Sequence, residues 1–167
     1  MTRLIRLSNR LQAVADFVEK GASVADIGTD HGFLPVYLAQ TGIADQITAS
    51  DMSGGSLNAA LRSAIKYDVE HKIDFVVAPG LSGVRMSDID TVVIAGVGGE
   101  TIASILEDVF WEEQSIRLIL QPQTKIKSLQ RYLSEYGYTV CETKVVQDRG
   151  RNYTIILADS PVCKVVI

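Results

Sequence analysis

Cysteine is scarce in this chain: Cys141 and Cys163 are the only two in 167 residues. They are too few and too far apart for a zinc-binding pattern, so no metal site is expected, and the ordinary expectation is a pair of reduced thiols with one or both buried. Long apolar runs are missing as well. No stretch approaches the length that spans a bilayer. Residues 1–20 are broken by Arg3, Arg6, Arg10, Asp16 and Glu19, which leaves no apolar signal-peptide core and makes a cytoplasmic protein the default expectation. An excess of positive charge is also absent. A net charge of −4 argues against wholesale wrapping of nucleic acid, which is dominated by cation contacts to phosphates. It leaves room for a local basic patch, with Arg3, Arg6 and Arg10, or Lys125, Lys127 and Arg131, as the candidates. No Ser/His/Asp order and no Walker lysine is suggested.

What is present is an ordinary globular composition, 47% hydrophobic and 22% charged, long enough for one domain with its own core. Leu11, Val14, Ala15 and Val18 recur at helical spacing, predicting a helix over Asn9 to Glu19 that Gly21 stops. Strands are predicted over Ser23 to Ile27, Gln46 to Ser50, Ile73 to Val77, Thr91 to Ala95 and Arg117 to Leu120. The fourth is apolar after its first residue and therefore central and parallel. Helices are predicted between them: one with Pro35 in its first turn and Gly42 beyond its end, one carrying Leu57, Ala60, Leu61, Ala64 and Ile65 on a single face, one over Glu100 to Phe110, and one over Thr124 to Tyr136 closed by Gly137. Extended stretches Tyr138 to Val146 and Tyr153 to Ala158 flank Asp148-Arg149-Gly150-Arg151, which reads as a hairpin turn. The sum is a doubly wound α/β domain over residues 1–167. Its seven-stranded sheet is mainly parallel and ends in an antiparallel hairpin.

In such sheets ligands bind beyond the carboxyl ends of the strands. The first strand runs into Asp26-Ile27-Gly28-Thr29-Asp30-His31-Gly32. Gly28 and Gly32 suit a nucleotide-binding turn, but Gly28 to Phe33 fails the Gly-x-Gly-x-x-Gly pattern at two positions. Asp30 stands where a diphosphate would meet a carboxylate, and like charges in a small loop repel. The ligand expected here is cationic or zwitterionic. S-adenosylmethionine, with a sulfonium, an ammonium and no phosphate, fits that description, and NAD fits it worst. Asp51 ends the second strand, where a carboxylate can accept from both hydroxyls of a ribose. The third strand ends in Ala78-Pro79-Gly80, and Pro79 offers neither a donor side chain nor an N–H. After the fourth come Gly96-Val97-Gly98-Gly99, three glycines that let the backbone approach a ligand closely. The Asn/Asp-Pro-Pro-aromatic motif common in methylation of exocyclic amines is not found there. For a base acceptor, a ring nitrogen is then the more natural target. His31 lies in the ligand loop, where contact with cofactor or substrate and plain loop packing both remain open; His71 sits in a polar turn and is expected at the surface.

Leu7-Ser8-Asn9-Arg10-Leu11, Asp26-Ile27-Gly28-Thr29-Asp30-His31, Ile94-Ala95-Gly96-Val97-Gly98-Gly99 and Leu118-Ile119-Leu120-Gln121-Pro122 together resemble the bacterial tRNA (adenine-22)-N1 methyltransferases, the TrmK family. The resemblance implies a class I methyltransferase fold, S-adenosylmethionine as donor, and tRNA as the partner methylated at adenine N1, with no membrane or metal involved. It implies that Asp26, Gly28, Thr29, Asp30, His31, Asp51, Met52, Pro79, Gly80 and Gly96 hold the cofactor. Arg10, Val97, Gly98, Gly99 and Gln121 would face the substrate, and Asp30 would be the carboxylate that stabilises the charge developing on the purine. Three positions depart from the family pattern: Pro79 replaces Asp or Asn, Val97 replaces Met, and Gln123 replaces Asn. The family's C-terminal helical domain, implicated in tRNA binding, is not reached by this sequence. A small-molecule methyltransferase and a non-catalytic cofactor-binding module are the rival readings.

Overall fold

The computed structural model describes residues 2–163. The strands are β1 (Ala22–Ile27), β2 (Ala44–Asp51), β3 (Asp74–Val77), β4 (Thr91–Val97), β5 (Arg117–Pro122), β6 (Thr139–Asp148) and β7 (Arg151–Asp159). They form one sheet in the order β3-β2-β1-β4-β5-β7-β6. The first five pair in parallel, whereas β7 runs antiparallel to both β5 and β6. The helices are α1 (Asn9–Asp16), α2 (Phe33–Thr41), α3 (Gly54–Lys66), α4 (Gly99–Glu107) and α5 (Ile126–Glu135).

Alternation along the central strands feeds two cores, one on each face of the sheet. Val93 and Ile119 face the side covered by Val14 of α1, Leu38 of α2 and Ala64 of α3. Ile94, Leu118 and Leu120 face Ile102 and Leu106 of α4 and Leu129 and Leu133 of α5. Burial on both faces is why β4 and β5 read as continuous apolar runs. At about 25 cal/mol per Å² of apolar surface removed from water, these two layers dominate the stabilisation.

Several boundaries differ from expectation. α1 stops at Asp16 rather than Glu19 because Phe17 and Val18 donate to carbonyls only three residues back, Val14 at 3.2 Å and Ala15 at 3.0 Å, which tightens and ends the helix. α4 ends at Glu107, short of Phe110, which is exposed. α5 begins at Ile126 because Lys125 is left-handed, with φ 56°. β4 continues through Gly96 to Val97, with an irregularity between Ala95 and Val97 that apolar patterning alone does not announce. Both cysteines are exposed, which corrects the expectation of burial: Cys141 sits on the edge strand β6, where Thr139 through Val145 are all exposed. No described helix is long and apolar enough to cross a membrane.

Candidate active site

Crossovers leave β1 and β4 in opposite directions, and at this switch point the sheet opens a cleft of about 980 Å³. Asp26, Gly28, Thr29, Asp30, His31, Asp51, Met52, Gly80, Gly96, Val97 and Arg10 all line it, so most of the residues singled out in sequence converge on one cavity.

One wall is acidic. The N–H groups of Gly28 and Thr29 donate to the Ser50 carbonyl at 2.8 and 3.0 Å, tying the loop to the end of β2. Gly28 has φ +72°, and a Cβ placed there would meet nothing within 4 Å, so the backbone is bare towards the cleft. Gly32 serves a different purpose. A Cβ there would fall 2.7 Å from that of Ala60, and this close approach seats α2 against α3. Asp30 is a non-glycine residue in the left-handed region, φ 53°, and its N–H donates to Asp51 Oδ2 at 3.1 Å. Asp51 Oδ1 accepts from the Ser53 N–H at 2.9 Å. Each Asp51 oxygen thus keeps a lone pair for a ribose hydroxyl.

Asp26 is buried, and its carboxyl is pushed up to about 7, first by burial and then by the nearby Asp51 charge, against the pull of the Thr29 hydroxyl and Arg10. The Thr29 and Ser50 hydroxyls are buried without a hydrogen bond of ordinary geometry. Unsatisfied polar atoms beside a half-ionised carboxyl are a costly arrangement for a closed core. They fit a site that receives a polar, cationic ligand.

The other wall comes from the N-terminal segment, α1 and the β6–β7 turn. Arg10 Nη1 donates to Gln121 Oε1 at 2.6 Å, and the same oxygen accepts from the Gly96 N–H at 3.0 Å. Gln121 Nε2 donates to Gln123 Oε1 at 3.1 Å. Gln121 is fully buried and lies beneath the cleft surface, where it sets Gly96 and Arg10. Gly98 and Gly99 also stand back from the lining. A Cβ on Gly98 would lie 3.0 Å from Thr124 Oγ1, and one on Gly99 would run into the Lys125 carbonyl oxygen, so these glycines let the α4 start pack against the α5 start. Pro79 is exposed outside the lining, its carbonyl accepting from Ser82 Oγ at 2.7 Å, while Ala78 and Gly80 face inward.

Arg6, Phe33, Thr101, Ile105, Asp148, Arg149 and Tyr153 line the cleft too and were not singled out as site residues. For the last three the signal was available: once the final strand is antiparallel, the turn before it must fall at the carboxyl end of the parallel strands. His71 is exposed in the turn after α3, and with Asp68 and Glu70 it brings ligand atoms within 4.8 Å of one another, away from the cleft.

Residues 7–156 match the family described as a methyltransferase domain, the class to which this strand order and this acidic turn belong. The chain is 31% identical over 159 residues to the tRNA (adenine(22)-N(1))-methyltransferase of Bacillus subtilis, covering 93% of this chain and 66% of that protein. The crystal structure of the B. subtilis m1A22 tRNA methyltransferase TrmK superposes with a TM-score of 0.85 at 30% identity, over 96% of this chain and 68% of that one. M. capricolum TrmK, solved with S-adenosyl-homocysteine, superposes with a TM-score of 0.82 at 28% identity, over 96% of this chain and 72% of that one. This chain belongs to the TrmK-like tRNA (m1A22) methyltransferase family, and it spans about two thirds of the length of the relatives it matches.

Proposed function

We propose that the protein transfers a methyl group from S-adenosylmethionine to N1 of an adenine in tRNA, position 22 by family kinship, and that residues 1–167 act as one cofactor-binding catalytic domain. The observation that carries the reading is the acidic wall: Asp26, Asp30 and Asp51 surround a bare glycine backbone, an arrangement hostile to a diphosphate and suited to a sulfonium and an ammonium.

Asp51 would hold the ribose through the lone pairs left by its backbone contacts, and Asp26 would face the cationic end of the cofactor. Bound there, the cofactor would supply an electrophilic methyl on a sulfonium, and its acceptor would be the N1 lone pair, which leaves positive charge on the purine. No proton needs to be removed for that step, so the protein's work is alignment and electrostatics. Asp30, exposed at the mouth with its carboxylate 3.9 Å from His31 Nε2, is placed to stabilise the purine cation. His31 and Phe33 stack at 5.4 Å with both rings exposed, a flat surface for a base drawn out of the RNA.

Incubation with unmodified tRNA and S-adenosylmethionine, followed by mass mapping of the RNA, is expected to yield a single N1-methyladenine. Methylation of metabolites with none on tRNA sinks the tRNA reading. Absence of measurable S-adenosylhomocysteine binding by calorimetry sinks the cofactor reading.

A further inference from the structure

The tip of the β6–β7 hairpin is built oddly for a plain connection. Arg149 and Gly150 have φ 50° and 78°, and Asp148 pairs with Arg151, so these two residues form a tight turn with both central positions left-handed. Asn-Gly and Asp-Gly are the usual occupants, because a Cβ at the first position is tolerated poorly. Here an arginine takes it. Nothing in the fold repays that choice: among the described residues the guanidinium has no salt bridge, and its neighbour Asp148 spends a carboxylate oxygen on the Arg10 N–H at 3.3 Å. The tip is nevertheless held in place, since Asn9 Nδ2 also donates to the Gln147 carbonyl at 3.3 Å and the Arg10 guanidinium lies over the Tyr153 ring at 5.9 Å. A fixed strut thus presents an exposed cation at the mouth of the cleft, on the wall that also carries the exposed Arg6.

Charge is distributed unevenly between the two walls. Asp26, Asp30 and Asp51 gather where the cofactor is expected, whereas the opposite side carries Arg6, Arg10 and Arg149 against the single carboxylate of Asp148, in a chain whose net charge is −4. Exposed arginines at a cleft mouth suit a polyanion that stays outside while one unit enters, because guanidinium forks match phosphate oxygens.

We propose that the β6–β7 tip is an RNA-backbone contact, in which Arg149, together with Arg6 on the same cleft, binds the phosphodiesters flanking the adenine admitted to the cleft. This rests on the tRNA reading above and assigns the residues that set substrate affinity independently of the cofactor.

Arg149→Asn separates charge from shape, because Asn is favoured in the left-handed turn. Its melting temperature is expected to match or exceed that of the unsubstituted protein, with S-adenosylhomocysteine binding unchanged. Its Kd for unmodified tRNA is expected to rise roughly fivefold to tenfold at low salt, and the slope of log Kd against log salt to shrink by about one phosphate contact. Arg6→Gln is expected to act in the same direction. Arg62→Gln, exposed on α3 and outside the cleft lining, removes the same charge and is expected to leave both quantities in place. Unchanged tRNA affinity and slope in Arg149→Asn, or an equal loss in Arg62→Gln, overturns the assignment. Failure of the unsubstituted protein to methylate tRNA instead overturns the reading on which it rests.

Discussion

The two ends of the sheet handle charge in opposite ways. At the amino end, a cavity of about 410 Å³ is lined by Glu19, Lys20, Asp90, Arg117 and Asp159. Apart from Lys20 its charged groups are paired: Arg117 bridges Glu19 at 2.6 Å and Asp159 at 3.6 Å, and Asp90 Oδ1 accepts from the Ser23 N–H at 3.1 Å and Thr91 Oγ1 at 2.8 Å. At the carboxyl end, Asp26 lacks a cationic partner within salt-bridge distance, and Arg6 and Arg149 likewise have none among the described residues. Backbone shows a weaker division. Left-handed glycines occur at both ends, Gly21, Gly42 and Gly137 near the amino end and Gly28, Gly80 and Gly96 at the cleft, but of the charged residues in that conformation Asp30 and Arg149 line the cleft. Neutralised charge on relaxed backbone belongs to the fold; unneutralised charge on costly backbone marks where a ligand completes the arrangement.

Four substitutions break or sharpen this contrast. The largest effect is expected from Gly99→Ala, whose methyl meets the Lys125 carbonyl with no flexible atom to yield; a loss of about 3 kcal/mol in urea unfolding is expected, and near-normal stability counts against the packing role of that glycine. Asp30→Asn keeps a residue that tolerates positive φ while removing the charge. Turnover on tRNA is expected to fall roughly a hundredfold with S-adenosylhomocysteine binding little changed, and near-normal turnover removes Asp30 from the chemistry.

Asp26→Asn probes the buried carboxyl through pH. Raised from 3.8 to about 7, Asp26 keeps its proton longer in the folded state than in the unfolded chain, so folding stability falls as pH rises from about 4 to 7 and levels off above. The amide variant is expected to flatten that slope and to melt about 5 °C higher at pH 8. In the unsubstituted protein a ligand ammonium beside Asp26 favours the ionised carboxyl, so affinity for S-adenosylhomocysteine, which keeps its ammonium but lacks the sulfonium, is expected to climb through pH 7 and plateau; Asp26→Asn is expected to abolish the climb. A pH-independent affinity in the unsubstituted protein contradicts the placement of the ligand's cation beside Asp26. The smallest effect is expected at the amino end. Arg117→Ala removes ion pairs with an exposed partner in Glu19 and is expected to cost below about 1 kcal/mol without touching methyl transfer, so a large activity loss there erases the distinction between the ends.

Much of this contrast is legible in the sequence, and the remainder has a physical reason to be hidden. Apolar runs at Val24 to Ile27 and Thr91 to Ala95 report parallel strands, and parallel strands put their carboxyl ends on one side, so Asp26, Asp51 and Gly96 could be placed together without coordinates. What local patterning does not carry is depth and long-range pairing. Gln121 looks like any strand-end amide, yet burial aims it at Arg10 and Gly96 rather than the cleft. Gly98 and Gly99 read as a ligand loop and instead admit a neighbouring helix start. The wall formed by α1 and the β6–β7 tip joins residues 138 apart, and only the direction of β7 reveals that they meet.

The uncovered β6 strand has a consequence for solubility. A ten-residue edge displays unpaired N–H and C=O groups along one side, an open template on which another chain could continue the sheet. Cys141 is the extra residue at an irregularity between Val140 and Glu142, which bends the strand and interrupts its ladder. Glu142 and Lys144 follow at once, both exposed, and charges on an edge make stacking against a second copy costly. The thiol position thus helps end the sheet, keeping its strand order from propagating between molecules.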